Sequence, residues 1–236
     1  MTTILAIDAS TETCSVAIML PNGMHEAVCA EPRTHAGRIL PMLDALLAEA
    51  GVSLHQIDAI AYGAGPGSFT GLRIALSLAQ GLAFGLEKPL IPVESLHAMA
   101  YAFAQDPKHT QDSVVCLLDA RMDEFYLASF QVVDALPQML QPAQLCGYAL
   151  FPQQLDITID ASVAGLGGGW AQVDPELRAM LGYCDTQAVP LASAIAQLGL
   201  KFFDSGVRPA AEQAEPLYLR NSVSWNKRQR LRQPTP

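Results

Sequence analysis

The sequence predicts an α/β protein assembled from two related halves that face one another. Three observations predict it. Short strand-like runs open the chain and then give way to helical periodicity. The opening Leu5-Ala6-Ile7-Asp8 is echoed by Cys116-Leu117-Leu118-Asp119 as apolar strand, aspartate, turn and return strand. A polar stretch bearing Pro107, Gln105–Gln111, separates the two copies.

The elements justify that reading in order. Thr3–Asp8 and Ser15–Leu20 read as strands around a short turn, Pro21-Asn22-Gly23 as a second turn, and Glu26–Ala30 as a third strand. Ile39, Leu40, Leu43, Leu46 and Leu47 recur at helical spacing until Gly51 stops them. Ile57–Tyr62 is a buried strand, followed by a glycine-rich turn and a helix over Thr70–Leu86. Leu90–Val93 is a further strand, and a third helix runs from Glu94/Ser95 to Ala104. This β-β-β-α-β-α-β-α order is that of the ribonuclease-H-like half-domain in the actin/hexokinase/Hsp70 (ASKHA) superfamily. The second half restarts with Val114–Leu118 and Glu124–Gln131; beyond Leu140 the pattern blurs, and Val189–Phe203 is its one strong helix. A weak internal repeat of this kind suggests duplication, although any strand–turn–strand carrying an aspartate would imitate it. The expected organisation is an N-terminal domain over 1–107, a reduced C-terminal one over 108–207, and a basic tail over 208–236.

Composition sets the class. Half of the 236 residues are hydrophobic and 16% are charged, which suits a globular chain. The most apolar stretch, Leu72 to Leu86, is short for a membrane span and interrupted by Arg73, Ser77 and Gln80. The N-terminus lacks the basic region of a signal peptide. Five cysteines, odd in number and without C-x-x-C spacing, point away from a disulfide framework or zinc ribbon and toward a reducing, cytoplasmic setting. The net charge of −9 conceals an asymmetry. Arg220, Lys227, Arg228, Arg230 and Arg232 give the last 17 residues +5, leaving −14 on the first 219. So acidic a body is a poor nucleic-acid binder by itself. The tail is either a contact for RNA or an acidic partner, or simply a solvated end.

Two aspartate turns are the first candidates for chemistry: Asp8-Ala9-Ser10-Thr11 and Asp119-Ala120-Arg121-Met122. In actin-like ATPases such turns face each other across a cleft, hold phosphates through backbone N–H groups and position a metal ion. Working versions usually place glycine after the aspartate so that backbone can approach phosphate; here Ala9 and Ala120 stand there. Asp8, Ser10, Thr11 and Asp119, with Gly167 and Gly168 of the cluster Gly165–Gly169 where this superfamily often contacts adenine, are therefore candidates for the relic of a nucleotide site. The competing reading has turn-capping aspartates and a plain glycine loop. The segment Gly63-Ala64-Gly65-Pro66-Gly67-Ser68-Phe69-Thr70-Gly71 lacks the P-loop lysine, the G-x-G-x-x-G spacing and the nucleophile-elbow pattern. Its expected role is a sharp turn into a closely packed helix. The five histidines contain no pair three or four apart, so no metal-ligand set is expected.

The run Ala61 to Arg73 strongly resembles the hallmark of the TsaB (YeaZ) family. The opening Ile4–Thr11, the turn Leu118–Arg121 and the ending Pro216-Leu217-Tyr218-Leu219-Arg220 are similar to that family too. The resemblance implies a bacterial protein required for N6-threonylcarbamoyladenosine (t6A) at position 37 of tRNAs that read codons beginning with A. It implies a pathway in which TsaC makes threonylcarbamoyl-adenylate and TsaD, aided by TsaB and the ATPase TsaE, transfers the group. TsaD carries a metal-binding N-H-x-x-x-H; the positions matching its two histidines are Ser95 and Met99. The expectation is a scaffold without catalytic residues or a metal of its own, binding TsaD directly and forming a homodimer when alone. ATP or ADP enters only at an interface with partners. The alternative is an ATP-dependent kinase-like or glycoprotease-like enzyme of the same superfamily.

The expected partner surface is the helix over Thr70–Leu86, which is apolar almost all round. Leu72, Ala75, Leu76, Ala79, Leu82 and Ala83 are its candidate interface residues, the small ones recurring at spacing four so that a partner helix can come close.

Overall fold

The computed structural model describes residues 2–220. Its ten strands form two five-stranded sheets of matching topology. The first comprises β1 (Ile4–Asp8), β2 (Cys14–Leu20), β3 (Gly23–Cys29), β4 (Ala59–Gly65) and β5 (Leu90–Glu94), in the order β3-β2-β1-β4-β5. The second comprises β6 (Ser113–Arg121), β7 (Glu124–Val133), β8 (Leu136–Gly147), β9 (Val163–Leu166) and β10 (Tyr183–Asp185), and read from the far edge its order is β8-β7-β6-β9-β10. In each sheet the first strand pairs antiparallel with the second and parallel with the fourth. β1 therefore corresponds to β6, and the echo between Asp8 and Asp119 reflects a duplicated ribonuclease-H-like unit.

Both sheets need cover, and the helices supply it across the chain order. Helices α1 (His35–Ala50) and α2 (Phe69–Leu86) cover one face of the first sheet, burying Ile39, Leu43, Ala75 and Ala79 against Leu5, Val16, Ile60 and Tyr62. Its other face is covered by α5 (Ala192–Asp204), which follows the second sheet in sequence; Ala192, Ile195 and Leu198 meet Ile4, Ala6, Ala61 and Val93. Conversely α3 (Ser95–Gln105) lays Leu96, Met99 and Phe103 on Val114, Cys116 and Phe130 of the second sheet. The strands of the two sheets divide between β5 and β6, while α3 and α5 exchange sides. The far face of the second sheet is closed by Trp170 and Phe151, with the single turn α4 (Pro175–Arg178) nearby.

The exchange of α5 is fixed by its N-terminus. Leu191, at the cap position, cannot satisfy the free amides of a first helical turn. Ser15 Oγ accepts from Ala192 N at 2.8 Å and Glu26 Oε1 from Ser193 N at 2.7 Å, both from the first sheet.

Several expectations are adjusted. β8, twelve residues long, runs into the stretch beyond Leu140 read as patternless: it is an edge strand, it holds Pro137 and Pro142, and only Pro137, Gln141 and Cys146 are buried. Prolines are confined to edges because they donate no ladder bond. Gly165–Gly169 is not a plain loop, since Gly165 and Leu166 belong to β9 and Gly168–Gln172 is a 3₁₀ turn. Helix α2, at 18 residues and mean hydropathy 1.3, meets the length and composition of a membrane-crossing helix. Its inner face is packed on β4 and β1. Of the basic tail, Lys227, Arg228, Arg230 and Arg232 lie outside the described residues.

Candidate functional site

At the end of β1, Asp8 is fully buried. Its Oδ2 accepts from Ser10 N and Ser10 Oγ, both at 3.1 Å, while Oδ1 has no partner. Burial pushes its carboxyl up to about 7, and the Ser10 bonds oppose that only in part. The glycine-rich segment presses on the same turn. A Cβ on Gly63 would stand 1.9 Å from Asp8 Oδ1, one on Gly67 2.2 Å from Ser10 O, and one on Gly71 1.8 Å from Ala9 O. Ser68 N donates to Ser10 O at 2.7 Å, and Ser68 Oγ caps α2 by accepting from Gly71 N. The glycines serve close packing of the loop and helix start on Ala9-Ser10. Thr11 Oγ1 accepts from Thr13 N and Thr11 O meets His35 Nε2 at 3.0 Å, which ties the turn to α1.

The corresponding turn of the second half is open. Asp119 is exposed; its Oδ1 accepts from Arg121 N and from Tyr148 OH, and Arg121 also pairs with Oδ2 at 3.1 Å. Arg121 reaches Glu12 at 3.5 Å, so the two turns meet. Gly167, at φ 104°, lies where a Cβ would stand 2.3 Å from Leu117 O and 3.0 Å from Met99 Cε. Met99 is buried against this glycine. Gly168 is roomier, its nearest neighbour Thr186 O at 3.8 Å. The two aspartate turns meet through Glu12 and Arg121 but stand in unlike environments: Asp8 and Ser10 sealed, Asp119 open. Glu94 and Ser95, where β5 meets α3, each keep a buried oxygen without a partner, which the sequence did not flag. Among the described residues no group of three or more His, Cys, Asp or Glu is gathered as a metal site.

Helix α2 reverses the expected surface. Leu72, Ala75, Leu76, Ala79 and Ala83 are buried in this chain's own core and Leu82 is half-buried. The small residues at spacing four bring the helix close to its own sheet. The outward face instead shows Phe69, Arg73, Ser77, Gly81 and Phe84. Phe69 is 56% and Phe84 67% exposed, unusual for residues of this size. A groove of about 440 Å³ between α2 and the start of α1 is lined by Ala36, Phe69, Arg73, Ile74 and Leu78. The Arg73 guanidinium lies 3.8 Å over the Phe69 ring and donates to Tyr218 OH at 3.0 Å. Tyr218 belongs to a C-terminal strap in which Glu215 O accepts from Tyr62 OH and Leu217 N donates to Ala64 O. No periodicity marks Phe69 or Tyr218 as a pair.

Comparisons with known proteins place this architecture. Over 233 residues the chain is 37% identical to the tRNA threonylcarbamoyladenosine biosynthesis protein TsaB of Haemophilus influenzae, covering 95% of this chain and 96% of that protein. The chain belongs to the TsaB family. The Escherichia coli TsaB is 38% identical over 95% of this chain and 97% of its own length. The solved structure of YeaZ from Pseudomonas aeruginosa superposes with a TM-score of 0.82 at 35% identity, covering 93% of this chain and all of that one. The profile of the TsaD family, tRNA N6-adenosine threonylcarbamoyltransferase, matches residues 28–201, as expected of a paralogue. TsaB proteins serve t6A biosynthesis, and this chain is a member of that system.

Proposed function

We propose that this TsaB chain is the non-catalytic scaffold and activator of the threonylcarbamoyl transfer, binding TsaD through the outward face of α2 and the adjoining start of α1. The observation that carries this reading is the exposure of Phe69 and Phe84 on one helix face beside an apolar groove. Burying two such rings is worth several kcal/mol, in the range that sustains a specific complex. In the absence of TsaD the same face joins two copies of this chain in a homodimer.

Chemistry is left to the partner in this reading. Asp8 is out of reach of solvent, and Ala9 and Ser10 are covered by glycine backbone, which supports a degenerate phosphate turn. ATP or ADP is taken up only where TsaD or the TsaE ATPase completes a site, and tRNA and threonylcarbamoyl-adenylate are handled by the assembled complex in the cytoplasm. The test is reconstitution of t6A formation with purified TsaC, TsaD and TsaE. Phe69→Ala combined with Arg73→Glu should leave a folded monomer that neither co-elutes with TsaD nor supports tRNA modification. Transfer by this chain without TsaD, or undiminished binding by the double variant, overturns the proposal.

A further inference from the structure

Cys14 opens β2 and Cys29 closes β3, and the two stand directly opposite each other in the antiparallel ladder. Alternation puts them on one face: Cys14, Val16 and Ile18 of β2 join Ala27 and Cys29 of β3 in the cluster beneath α1. Directly opposed residues on one face hold their Cβ atoms about 4.5–5.5 Å apart, and a disulfide asks for about 4 Å. Strand ends can close that gap. Both thiols are free. The other three cysteines lie on β6, β8 and β10, no two of which are neighbours in the second sheet. Cys14 and Cys29 are thus the one cross-strand thiol pair among the described residues.

We propose that Cys14 and Cys29 form a reversible disulfide driven by a peroxide. Their burial sets the order of events. Cys29 is half-exposed at the rim, with its sulfur 3.8 Å from Thr34 Oγ1. Cys14 is fully buried, and burial together with the nearby Cys29 pushes its thiol up to about 11. Cys29, as thiolate, attacks one peroxide oxygen; the O–O bond breaks, the leaving oxygen takes up a proton as water, and Cys29 becomes a sulfenic acid. The Cys14 sulfur then attacks the Cys29 sulfur and releases its own proton. The S–O bond breaks and the second oxygen leaves as water. Two thiols are oxidised to one disulfide and one hydrogen peroxide is reduced to two waters. In a reducing compartment such a bond is a signal that thiols reverse, and not a permanent staple.

The position gives the bond a consequence. Thr34 and His35, where α1 begins, follow Cys29 closely, and Thr11, which His35 contacts, precedes Cys14 in the turn after Asp8. The cross-link would fasten the hairpin directly beneath the start of α1, which forms one wall of the groove beside α2.

Full-length protein treated with hydrogen peroxide under native conditions, blocked with N-ethylmaleimide, and digested without reductant tests this by mass spectrometry. The expected result is a peptide linking Cys14 to Cys29, the joint loss of those two alkylatable thiols, and recovery of both with dithiothreitol. The oxidised protein should also melt a few degrees higher, since the link restricts the unfolded chain. Cys29→Ser should yield no linked peptide and leave Cys14 alkylatable after unfolding. Either of two results overturns the proposal: Cys29 carried on to sulfinic acid with Cys14 still free, or both thiols intact while the exposed Cys184 is oxidised.

Discussion

Arg220 pairs with Glu124 across the two halves of the molecule. Its guanidinium also donates to Arg121 O at the β6–β7 hairpin, while two residues earlier Tyr218 sits against Phe69 at 5.4 Å. The strap therefore connects the outward face of α2 to the second sheet. The Arg220 side chain is only 19% exposed, so the pair is screened less than a surface bridge. Arg220→Ala should cost about 1–2 kcal/mol of stability. It should also raise amide exchange in 214–219 without changing that of β1. Chemical denaturation and hydrogen exchange check both.

Asp8 gives the fold a pH dependence whose sign is opposite to that of a salt-bridged carboxylate. Its folded value, about 7, lies above the ordinary 3.8. Between those values the folded state holds the proton more tightly than the unfolded one. The stabilisation is complete below about pH 3.8, declines as pH rises and is gone above about pH 7. Asp8→Asn keeps an acceptor for Ser10 and removes the ionisation, although its NH₂ group inherits a buried position without a partner. It should be more stable than the parent at pH 8 by about 1–4 kcal/mol, with the advantage shrinking toward pH 5. Urea midpoints at the two pH values measure this, and a constant difference would refute the assignment.

How much of this was legible in the sequence follows from what each residue's neighbours are. The first sheet is readable because its strands are apolar runs bounded by turns and its helices carry clear periodicity, so Ile4–Asp8 and α2 emerge within a residue or two. The echo of Asp8 in Asp119 correctly signals duplication. It does not signal that one carboxylate is sealed and the other open, because burial depends on Gly63 and the glycine-rich segment that packs on the turn from more than 50 residues away. β8 is hidden since an edge strand with two prolines shows no clean alternation. The side that α5 covers is fixed by Ser15 and Glu26, more than 160 residues away. In α2 the few polar residues, Arg73 and Ser77, do lie outward, but Phe69 and Phe84 lie outward with them, and no apolar stripe separates those rings from the inner face.

Two glycines of α2 should respond oppositely to alanine. At Gly71 a Cβ would stand 1.8 Å from the carbonyl oxygen of Ala9, and backbone cannot withdraw as a flexible side chain can. Gly71→Ala should destabilise by about 3 kcal/mol or more. Gly81 is exposed, with nothing within 4 Å of where a Cβ would stand. Gly81→Ala should stabilise by about 0.5–1 kcal/mol through helix propensity alone. Thermal melts of the two variants side by side give the comparison.

The last pair of variants separates the inner face of α2 from the outer. Ala79 is fully buried between the helix and its own sheet, where an arginine has neither room nor a counter-charge. The loss exceeds several kcal/mol, comparable with the whole stability of a domain, so Ala79→Arg should fail to fold. Phe84, 67% exposed, touches little of its own chain, and Phe84→Asp should change stability by no more than about 1 kcal/mol. If the ring anchors TsaD, its loss with an added charge should weaken that complex by about 2–4 kcal/mol, roughly 30- to 1000-fold in Kd. Circular dichroism establishes the folding of each variant, and titration with TsaD reads the affinity. A folded Ala79→Arg that still binds TsaD would contradict the packing of the inner face. A folded Phe84→Asp with unchanged affinity would move the docking surface off this end of α2, toward the groove beside Phe69.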